Sequence, residues 1–312
     1  TPCGTLFPYT TLFRSVRRLL SGVFAPVVTP FENGELRPDY LEANLRRLST
    51  TRLAGYLALG SNGEFRAVSE AERARILEVF AETRGDKIVM AGASAESTAE
   101  AARFTRQAAE LEFEYASVLP PSYFAKHMTS DVLYRFFSHL ADASPIPIVL
   151  YNAPQFTGGV QIGVSTAVRL SSHPNIAGIK DSSKAGPGAI LASLPEDREF
   201  AVLAGSTSFF YPALHLGADG GVLSLANAIP ESCVELYELF RDGRFPEALK
   251  LHTVLHRLNQ AVSGSYGVAG VKAAVSIAGM QGGEPRQPIA PLGHEERHGI
   301  ESAIRGAGLL EE

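Results

Sequence analysis

Short apolar runs alternate with longer amphipathic stretches along most of this chain. Eight runs of four to six residues are rich in β-branched and small apolar side chains, and polar or glycine-containing segments separate them. This pattern predicts eight buried β-strands. The predicted strands are Val23–Val28, Gly55–Leu59, Lys87–Ala91, Tyr115–Leu119, Pro147–Tyr151, Ile176–Lys180, Ala201–Ala204 and Gly221–Leu225.

The stretches between these runs carry apolar residues at helical spacing. Ser69 and Glu72 form a capping-box pattern at the start of one of them. Strands that alternate with helices predict an α/β protein, most simply a closed (β/α)8 TIM barrel over residues 22–228, with a doubly wound open sheet as the alternative. The predicted helices are Pro38–Leu48, Ser69–Thr83, Thr98–Glu110, Ser130–Ala141, Gly163–Leu170, Gly188–Leu194 and Ser208–Leu216.

After the eighth run the strand pattern stops, and four helical stretches separated by glycines follow. No flexible linker precedes them, so residues 229–312 are predicted to form a C-terminal helical extension of the barrel. Its predicted helices are Glu231–Arg241, Phe245–Val262, Val268–Ala278 and Pro291–Ala307.

Residues 1–21 are predicted to be a leader, and residues 1–15 are expected to lie outside the fold because they show no helix or strand period. Arg14, Arg17 and Arg18 precede an apolar stretch, a pattern shared with signal and transit peptides. We favour a buried strand for that stretch, since no small-residue cleavage site precedes it. A cytoplasmic location is therefore expected, or a mitochondrial one if the basic segment is a transit peptide.

Composition narrows the class of protein. The chain has 312 residues, of which 45% are hydrophobic and 20% charged, and this combination excludes intrinsic disorder. The net charge of −5 predicts no general affinity for nucleic acid or an anionic membrane. Cys3 and Cys233 form neither a disulfide framework nor a metal-binding motif, and the eight histidines show no ligand-like spacing. We therefore expect no metal site and no membrane segment.

In a βα barrel the active site lies at the C-terminal ends of the strands. Lys180 is the only one of six lysines that ends a predicted strand. Burial disfavours a charged ammonium, and a neutral amine attacks a ketone to form a Schiff base. On position alone, the alternative is a structural lysine that forms an ion pair with a residue such as Asp181. Lys272 also has apolar neighbours, but its helical position predicts a packed stem with a head that reaches water.

Polar residues follow other predicted strands as well. Tyr151 ends the strand before Lys180, so its hydroxyl is expected near the lysine amine, where it can shuttle a proton; an aromatic residue at the barrel rim is the alternative. The GSNGE loop at 60–64 offers backbone N–H groups suited to a carboxylate or phosphate. Ser206 and Thr207 could instead form a phosphate site after the last strands.

Three motifs together resemble the dihydrodipicolinate synthase and N-acetylneuraminate lyase superfamily: GSNGE at 60–64, LYNAP at 150–154 and GIKDSS at 178–183. The resemblance covers nearly the whole chain and is closest to 4-hydroxy-2-oxoglutarate aldolase, through segments such as HPNIAGIKDS and GGVLSLAN. It implies a barrel with a C-terminal helical subdomain, assembled as a homotetramer of two tight dimers. It also implies a small-molecule 2-keto acid substrate and a lysine Schiff base that needs no cofactor.

The resemblance also implies roles for individual residues. Lys180 would form the Schiff base with the C2 ketone, and Tyr151 would be the proton shuttle. Ser61 matches the family's hydroxyl that links this tyrosine to a second tyrosine from the neighbouring subunit, for which Tyr123 is the tyrosine available. The residues expected to contact or line the substrate are Ser61, Asn62, Ser182, Gly205 and Leu223.

One departure from the family pattern bears on the reaction. Dihydrodipicolinate synthases carry an arginine shortly after the YNxP motif that holds a second carboxylate, and Phe156 stands at that place here. The expected function is therefore a class I aldolase that cleaves a 2-keto-4-hydroxy acid, with 4-hydroxy-2-oxoglutarate as the first choice. The alternatives are a 2-keto-3-deoxy sugar acid aldolase or dehydratase, an N-acetylneuraminate lyase, a dihydrodipicolinate synthase, or a keto-acid-binding protein without turnover.

Overall fold

The computed structural model describes residues 20–309, so the predictions for residues 1–19 lie outside the described part of the chain. The strands in the described part are β1 (Gly22–Pro26), β2 (Phe31–Glu32), β3 (Glu35–Leu36), β4 (Gly55–Ala58), β5 (Ile88–Gly92), β6 (Tyr115–Val118), β7 (Ile148–Asn152), β8 (Ile176–Asp181), β9 (Ala201–Ala204) and β10 (Gly220–Val222). All but β2 and β3 pair in parallel and close into a barrel in the order β1-β10-β9-β8-β7-β6-β5-β4. The predicted (β/α)8 TIM barrel is confirmed, and the open sheet is excluded.

Helices α1 to α7 each connect two consecutive barrel strands, and α8 to α11 follow the barrel as the expected C-terminal extension. Their bounds are α1 (Pro38–Ser49), α2 (Glu70–Thr83), α3 (Thr98–Glu110), α4 (Ser130–Ala143), α5 (Val164–Leu170), α6 (Gly188–Leu191), α7 (Phe210–His215), α8 (Pro230–Arg241), α9 (Phe245–Asn259), α10 (Ser265–Ile277) and α11 (His294–Ala307). None of the helices in residues 20–309 has the length and apolarity needed to cross a bilayer.

The eighth barrel strand is shorter than predicted. It ends at Val222, and Ser224–Asn227 form a 3-10 turn instead of extended chain. The Asn227 side chain accepts the Val28 N–H at 3.1 Å and donates to the Pro26 carbonyl at 3.0 Å. These bonds hold the chain in a bend where β1 and β10 end, because the amide satisfies backbone groups that a longer strand would have paired.

The β2–β3 hairpin was not predicted. Its turn is Asn33–Gly34, and both residues have positive φ angles, of 53° and 81°. An Asn-Gly pair favours this geometry in two-residue hairpins, so the signal was present in the sequence although the strands are only two residues long.

The barrel interior is a packed core. One buried cluster takes at least one side chain from every barrel strand, and Leu20 at the start of the described chain joins it, fully buried. Its members are Leu20, Phe24, Leu57, Met90, Tyr115, Val149, Ala177, Ala201, Leu203 and Val222. Because side chains fill the barrel, a substrate site belongs at the carboxyl ends of the strands rather than in a channel.

Candidate active site

Lys180 and Tyr151 lie side by side at the carboxyl end of the barrel. They are paired between β7 and β8, and the Lys180 Nζ lies 3.9 Å from the centroid of the Tyr151 ring. Only 4% of each residue is exposed. In residues 20–309, no carboxylate forms an ion pair with the Lys180 amine. The geometry therefore places a buried amine against the face of an aromatic ring.

Asp181 does not supply the ion pair considered from the sequence. Alternate side chains point to opposite faces of a strand, and the Asp181 Oδ1 accepts from the Asn152 Nδ2 at 3.1 Å and the Ser183 N–H at 2.8 Å. Burial raises the pKa of this carboxyl, against the effect of those two hydrogen bonds. The Asn152 Oδ1 also accepts the Ile162 N–H at 3.0 Å. The pairing of Lys180 with Asp181 is therefore wrong, and Asp181 instead ties together the ends of β7 and β8.

The GSNGE loop reaches Tyr151 from the end of β4. The Ser61 Oγ lies 3.2 Å from the Tyr151 hydroxyl, and either atom can donate the hydrogen bond. Asn62 donates from its Nδ2 to the Ser224 Oγ at 3.0 Å, which links this loop to the turn after β10. The structure thus brings Ser61, Tyr151 and Lys180 into one connected set from three separate motifs.

Gly205 and Ser182, from the loops that follow β9 and β8, contact each other. The Gly205 N–H donates to the Asp181 carbonyl at 2.7 Å, and the Ser182 Oγ donates to the Gly205 carbonyl at 3.3 Å. A Cβ on Gly205 would lie 1.9 Å from the Ser182 Oγ, so only glycine fits there without movement. Leu223 is fully buried, and its N–H already donates to the Phe24 carbonyl at 3.0 Å. Leu223 can therefore line a pocket, but its N–H is already engaged.

Tyr123 lies apart from the other predicted site residues. Its side chain is 80% exposed and packs edge-to-face on Phe124, with 4.9 Å between the ring centroids. The Glu96 carboxylate accepts the N–H groups of Ser122 and Tyr123 at 2.8 and 2.9 Å, which sets the course of this loop. Within residues 20–309 the chain provides no hydrogen bond between Tyr123 and Ser61 or Tyr151, so the second-tyrosine role stays a prediction about a neighbouring subunit.

Phe156 belongs to a short 3-10 helix, Pro154–Phe156, directly after β7. Its side chain is 51% exposed, which is high for a phenylalanine. The neighbouring Gln155 donates from its Nε2 to the Ser182 carbonyl at 3.1 Å, so this helix is anchored to the loop after Lys180. An apolar ring is therefore exposed directly after β7, at the position where the resemblance led us to look for an arginine.

The hydroxyl groups considered for a phosphate site have structural partners or are buried. The Ser206 Oγ accepts the Ser208 N–H at 3.2 Å, which caps a 3-10 turn, and Thr207 is fully buried. Ser208 in turn accepts hydrogen bonds from Asn259 and Gln260. No group of three His, Cys, Asp or Glu side chains in the described chain is arranged to hold a metal ion.

The prediction that the Lys272 head reaches water is wrong. Only 1% of the residue is exposed, and its Nζ lies 2.5 Å from the Glu64 Oε1. The amine also donates to the Glu284 carbonyl at 2.7 Å. A buried carboxylate and a carbonyl replace water around the ammonium, which the apolar neighbours of Lys272 in the sequence did not reveal.

This barrel with a lysine at the end of its sixth barrel strand has known counterparts. The family model described as the dihydrodipicolinate synthetase family matches residues 19–307. The chain belongs to the dihydrodipicolinate synthetase family. The resemblance that the three motifs indicate is thereby confirmed at the level of the family.

Relatives of this dihydrodipicolinate synthetase family member carry different names. The chain is 35% identical to a 4-hydroxy-tetrahydrodipicolinate synthase of Methanothrix thermoacetophila, over 89% of this chain and 93% of the relative. It is 30% identical to an L-threo-3-deoxy-hexylosonate aldolase of Aspergillus niger, over 94% and 96%. It is also 32% identical to a probable mitochondrial 4-hydroxy-2-oxoglutarate aldolase of Emericella nidulans, over 95% and 97%.

Solved structures agree with the fold. The dihydrodipicolinate synthase of Aquifex aeolicus is 28% identical and superposes with a TM-score of 0.86, over 94% of this chain and 100% of that one. The chain is therefore an enzyme of a family of lyases and synthases that act on small molecules. Relatives that are 30 to 35% identical to this chain carry three different enzyme names, so the comparisons do not identify its substrate.

Proposed function

We propose that this protein is a class I aldolase that cleaves a 2-keto-4-hydroxy acid to pyruvate and an aldehyde. The observation that carries the proposal is the buried Lys180 amine, which has no carboxylate partner in residues 20–309 and lies against Tyr151. The Tyr151 hydroxyl in turn contacts Ser61. This set contains a nucleophile and a proton carrier, the two groups that Schiff-base cleavage requires.

The proposed reaction begins when the Lys180 Nζ attacks the C2 ketone and water leaves to give a protonated imine. Tyr151 takes the proton of the C4 hydroxyl, the C3–C4 bond breaks, and its electron pair moves into the iminium. The aldehyde leaves, the resulting enamine is protonated at C3, and water hydrolyses the imine to release pyruvate. The iminium is the electron sink, so the scheme uses no metal.

The 2-keto acid carboxylate is proposed to lie on the Ser61–Asn62 turn. Asn62 reaches across to Ser224 and Ser61 to Tyr151, which brings the turn beside the reacting amine. We propose 4-hydroxy-2-oxoglutarate as the first substrate, giving pyruvate and glyoxylate. The similarity to a probable 4-hydroxy-2-oxoglutarate aldolase supports this choice, and Phe156 in place of an arginine argues against dihydrodipicolinate synthesis.

The test is pyruvate release from 4-hydroxy-2-oxoglutarate in the presence of a metal chelator. Lys180→Ala is expected to abolish release and also to abolish labelling when borohydride reduces the adduct with pyruvate. Lys184→Ala is the matched control, because this lysine lies four positions away and is exposed. Labelling without release would reject 4-hydroxy-2-oxoglutarate as the substrate, and labelling without release from any 2-keto-4-hydroxy acid tested would identify a keto-acid-binding protein. Release that persists in Lys180→Ala would contradict the proposal.

A 2-keto-3-deoxy sugar acid is the second candidate substrate, and Phe156 favours it. 4-Hydroxy-2-oxoglutarate carries a second carboxylate, whereas the distal part of a sugar acid is neutral. An apolar ring at this position should therefore weaken binding of the sugar acid less than binding of the dicarboxylate. The similarity to an L-threo-3-deoxy-hexylosonate aldolase points the same way. Comparing kcat/KM for the two substrates decides between them.

We also propose that the protein assembles as a homotetramer of two tight dimers. The Tyr123 and Phe124 side chains are 80% and 63% exposed, on the loop that follows β6. An exposed aromatic pair of this kind is typical of a surface that another protein covers. In the proposed assembly, Tyr123 of one subunit completes the relay from Tyr151 and Ser61 of its neighbour.

A further inference from the structure

A buried ion pair supports the Ser61–Asn62 turn from behind. Glu64 closes this turn, with its N–H donating to the Ser61 carbonyl at 3.1 Å. The Glu64 Oε1 lies 2.5 Å from the Lys272 Nζ, and its Oε2 accepts the Arg286 N–H at 2.8 Å. The Lys272 and Glu64 side chains are 1% and 3% exposed. The barrel loop is thus joined to α10 and to the segment that follows it.

The backbone of this turn needs such support. Leu59 and Glu64 have φ angles of 52° and 50°, in the left-handed region that disfavours residues with a Cβ. Gly63 packs so closely that a Cβ on it would lie 3.0 Å from the Leu59 Cα. Conformations of this kind persist where surrounding contacts over-determine them. The Glu64 carboxylate supplies two of those contacts, one to Lys272 and one to the Arg286 N–H.

Lys272 is held in one position by its surroundings. Its Nζ donates to the Glu284 carbonyl at 2.7 Å and lies 4.6 Å from the centroid of the Phe31 ring. Burial lowers the pKa of Lys272 to about 8, although Glu64 favours the charged form. The other charged groups that act on Lys272 are Arg286 and Glu284, and Arg286 itself is acted on by Glu72 and Glu35 as well as Glu64.

We propose that Glu64 and Lys272 are a positioning pair for the substrate carboxylate. The ion pair holds the turn in the conformation in which Ser61 and Asn62 bind the 2-keto acid. This inference rests on the proposed function, because it takes Ser61 and Asn62 as the carboxylate contacts. Glu64 and Lys272 act through the turn, so substrate binding in the barrel depends on a residue of the C-terminal helices.

The experiment separates carboxylate binding from imine formation. Lactate carries the carboxylate of pyruvate but no ketone, so its dissociation constant reports on the turn alone. Lys272→Met and Glu64→Gln are each expected to weaken lactate binding and raise the half-saturating pyruvate concentration by about 10- to 100-fold. The rate of borohydride trapping at saturating pyruvate should stay near that of the wild type, because Lys180 is unchanged.

Removing one partner of a buried ion pair also destabilises the fold, so two further variants are needed. The double variant Glu64→Gln/Lys272→Met leaves neither charge unpaired, so its Tm should be higher than that of either single variant. It should still bind lactate weakly, because the ion pair is absent. Arg198→Met/Asp219→Asn is the matched control, because this buried pair, 2.9 Å apart, precedes β9 and β10 at the other end of the barrel. It should lower the Tm without changing lactate affinity.

If the double variant bound lactate with the affinity of the wild type, the proposed positioning role of Glu64 and Lys272 would be wrong. Lactate binding would then require only that neither charge is left unpaired. A wild-type protein that binds no lactate at millimolar concentration would overturn that role too. A wild-type protein that binds lactate but is not trapped by borohydride would reject the Lys180 reaction. The lactate affinities of the variants would still decide the role of Glu64 and Lys272, so the two proposals fail separately.

Discussion

The role of a buried lysine in this protein depends on the groups that surround its amine. Lys180 and Lys272 are both buried lysines, yet the first lies against a tyrosine ring and the second against a carboxylate. The Lys272 ammonium forms an ion pair with Glu64 and a hydrogen bond with the Glu284 carbonyl, whereas no carboxylate in the described chain forms an ion pair with Lys180. In the proposed reaction, the ring of Tyr151 would lie against the iminium formed on Lys180.

Tyr151→Phe keeps the ring and its packing but removes the hydroxyl. Pyruvate release is expected to fall by about 100- to 10,000-fold, the range for loss of a general acid or base. Ser61→Ala is the companion variant, because it removes the 3.2 Å contact with the tyrosine hydroxyl and leaves the proton carrier in place, so a smaller loss is expected. Activity near that of the wild type in Tyr151→Phe would disprove the assigned role.

Phe156→Arg places a guanidinium on the exposed 3-10 helix beside the site. The added charge should raise kcat/KM for 4-hydroxy-2-oxoglutarate relative to a neutral-chain 3-deoxy sugar acid by about 10-fold, since one extra charged contact is worth roughly 1.5 kcal/mol or more. Phe156→Met controls for loss of the ring without added charge. An unchanged ratio in Phe156→Arg would show that this position does not face the distal end of the substrate.

Among the secondary structure elements, the start of α2 joins the barrel to the C-terminal segment. Glu72 accepts the Ser69 N–H at 2.8 Å as part of the capping box, and the same carboxylate forms two hydrogen bonds with the Arg286 guanidinium. Arg286 also donates to the Ala67 carbonyl and its guanidinium lies over the Phe31 ring. One carboxylate therefore caps a helix and anchors the chain that carries the contacts of Glu64.

Glu72→Gln is expected to lower the free energy of unfolding by about 1 kcal/mol at pH 7, after allowance for screening by water. The Arg286 hydrogen bonds lower the pKa of Glu72 from 4.5 to about 2. The stabilisation is therefore complete above pH 4.5 and is lost as the pH falls towards 2. Urea unfolding at pH 7 and pH 3 should show a smaller difference from the wild type at pH 3. Glu82→Gln, an exposed position on the same helix, should show little difference at either pH.

At the scale of the whole molecule, the proposed relay requires more than one subunit. The described chain supplies Lys180, Tyr151 and Ser61 to one site, whereas Tyr123 is directed into solvent with 80% of its surface exposed. The role proposed for Tyr123 therefore requires a second copy of the chain. Assembly and activity are therefore expected to be coupled in this protein.

Subunit complementation tests this coupling. Lys180→Ala and Tyr123→Phe are each expected to lose activity, because one lacks the nucleophile and the other lacks the second tyrosine. Mixed after dissociation and reassembly, a Tyr123→Phe subunit would have its own Lys180 and receive Tyr123 from its neighbour, so activity should return. A mixture that stays inactive while light scattering shows mixed oligomers would contradict the shared site.

The order of elements and the two central residues follow from local patterns. Alternating runs predict eight strands and the helices between them because the periodicity of apolar side chains is a property of short segments. Tyr151 and Lys180 each end such a strand, and closure of the sheet makes those ends neighbours. For this reason the fold and the Lys180–Tyr151 contact could both be predicted without the structure.

Contacts between segments far apart in the sequence depended on the tertiary structure. The apolar neighbours of Lys272 gave no sign of the Glu64 carboxylate, since that contact exists only after α10 has packed behind the barrel loop. The separation of Tyr123 from Ser61 and Tyr151 likewise depends on the course of the loop after β6. A buried charge is stable only beside its partner, and folding alone brings partners from distant segments together.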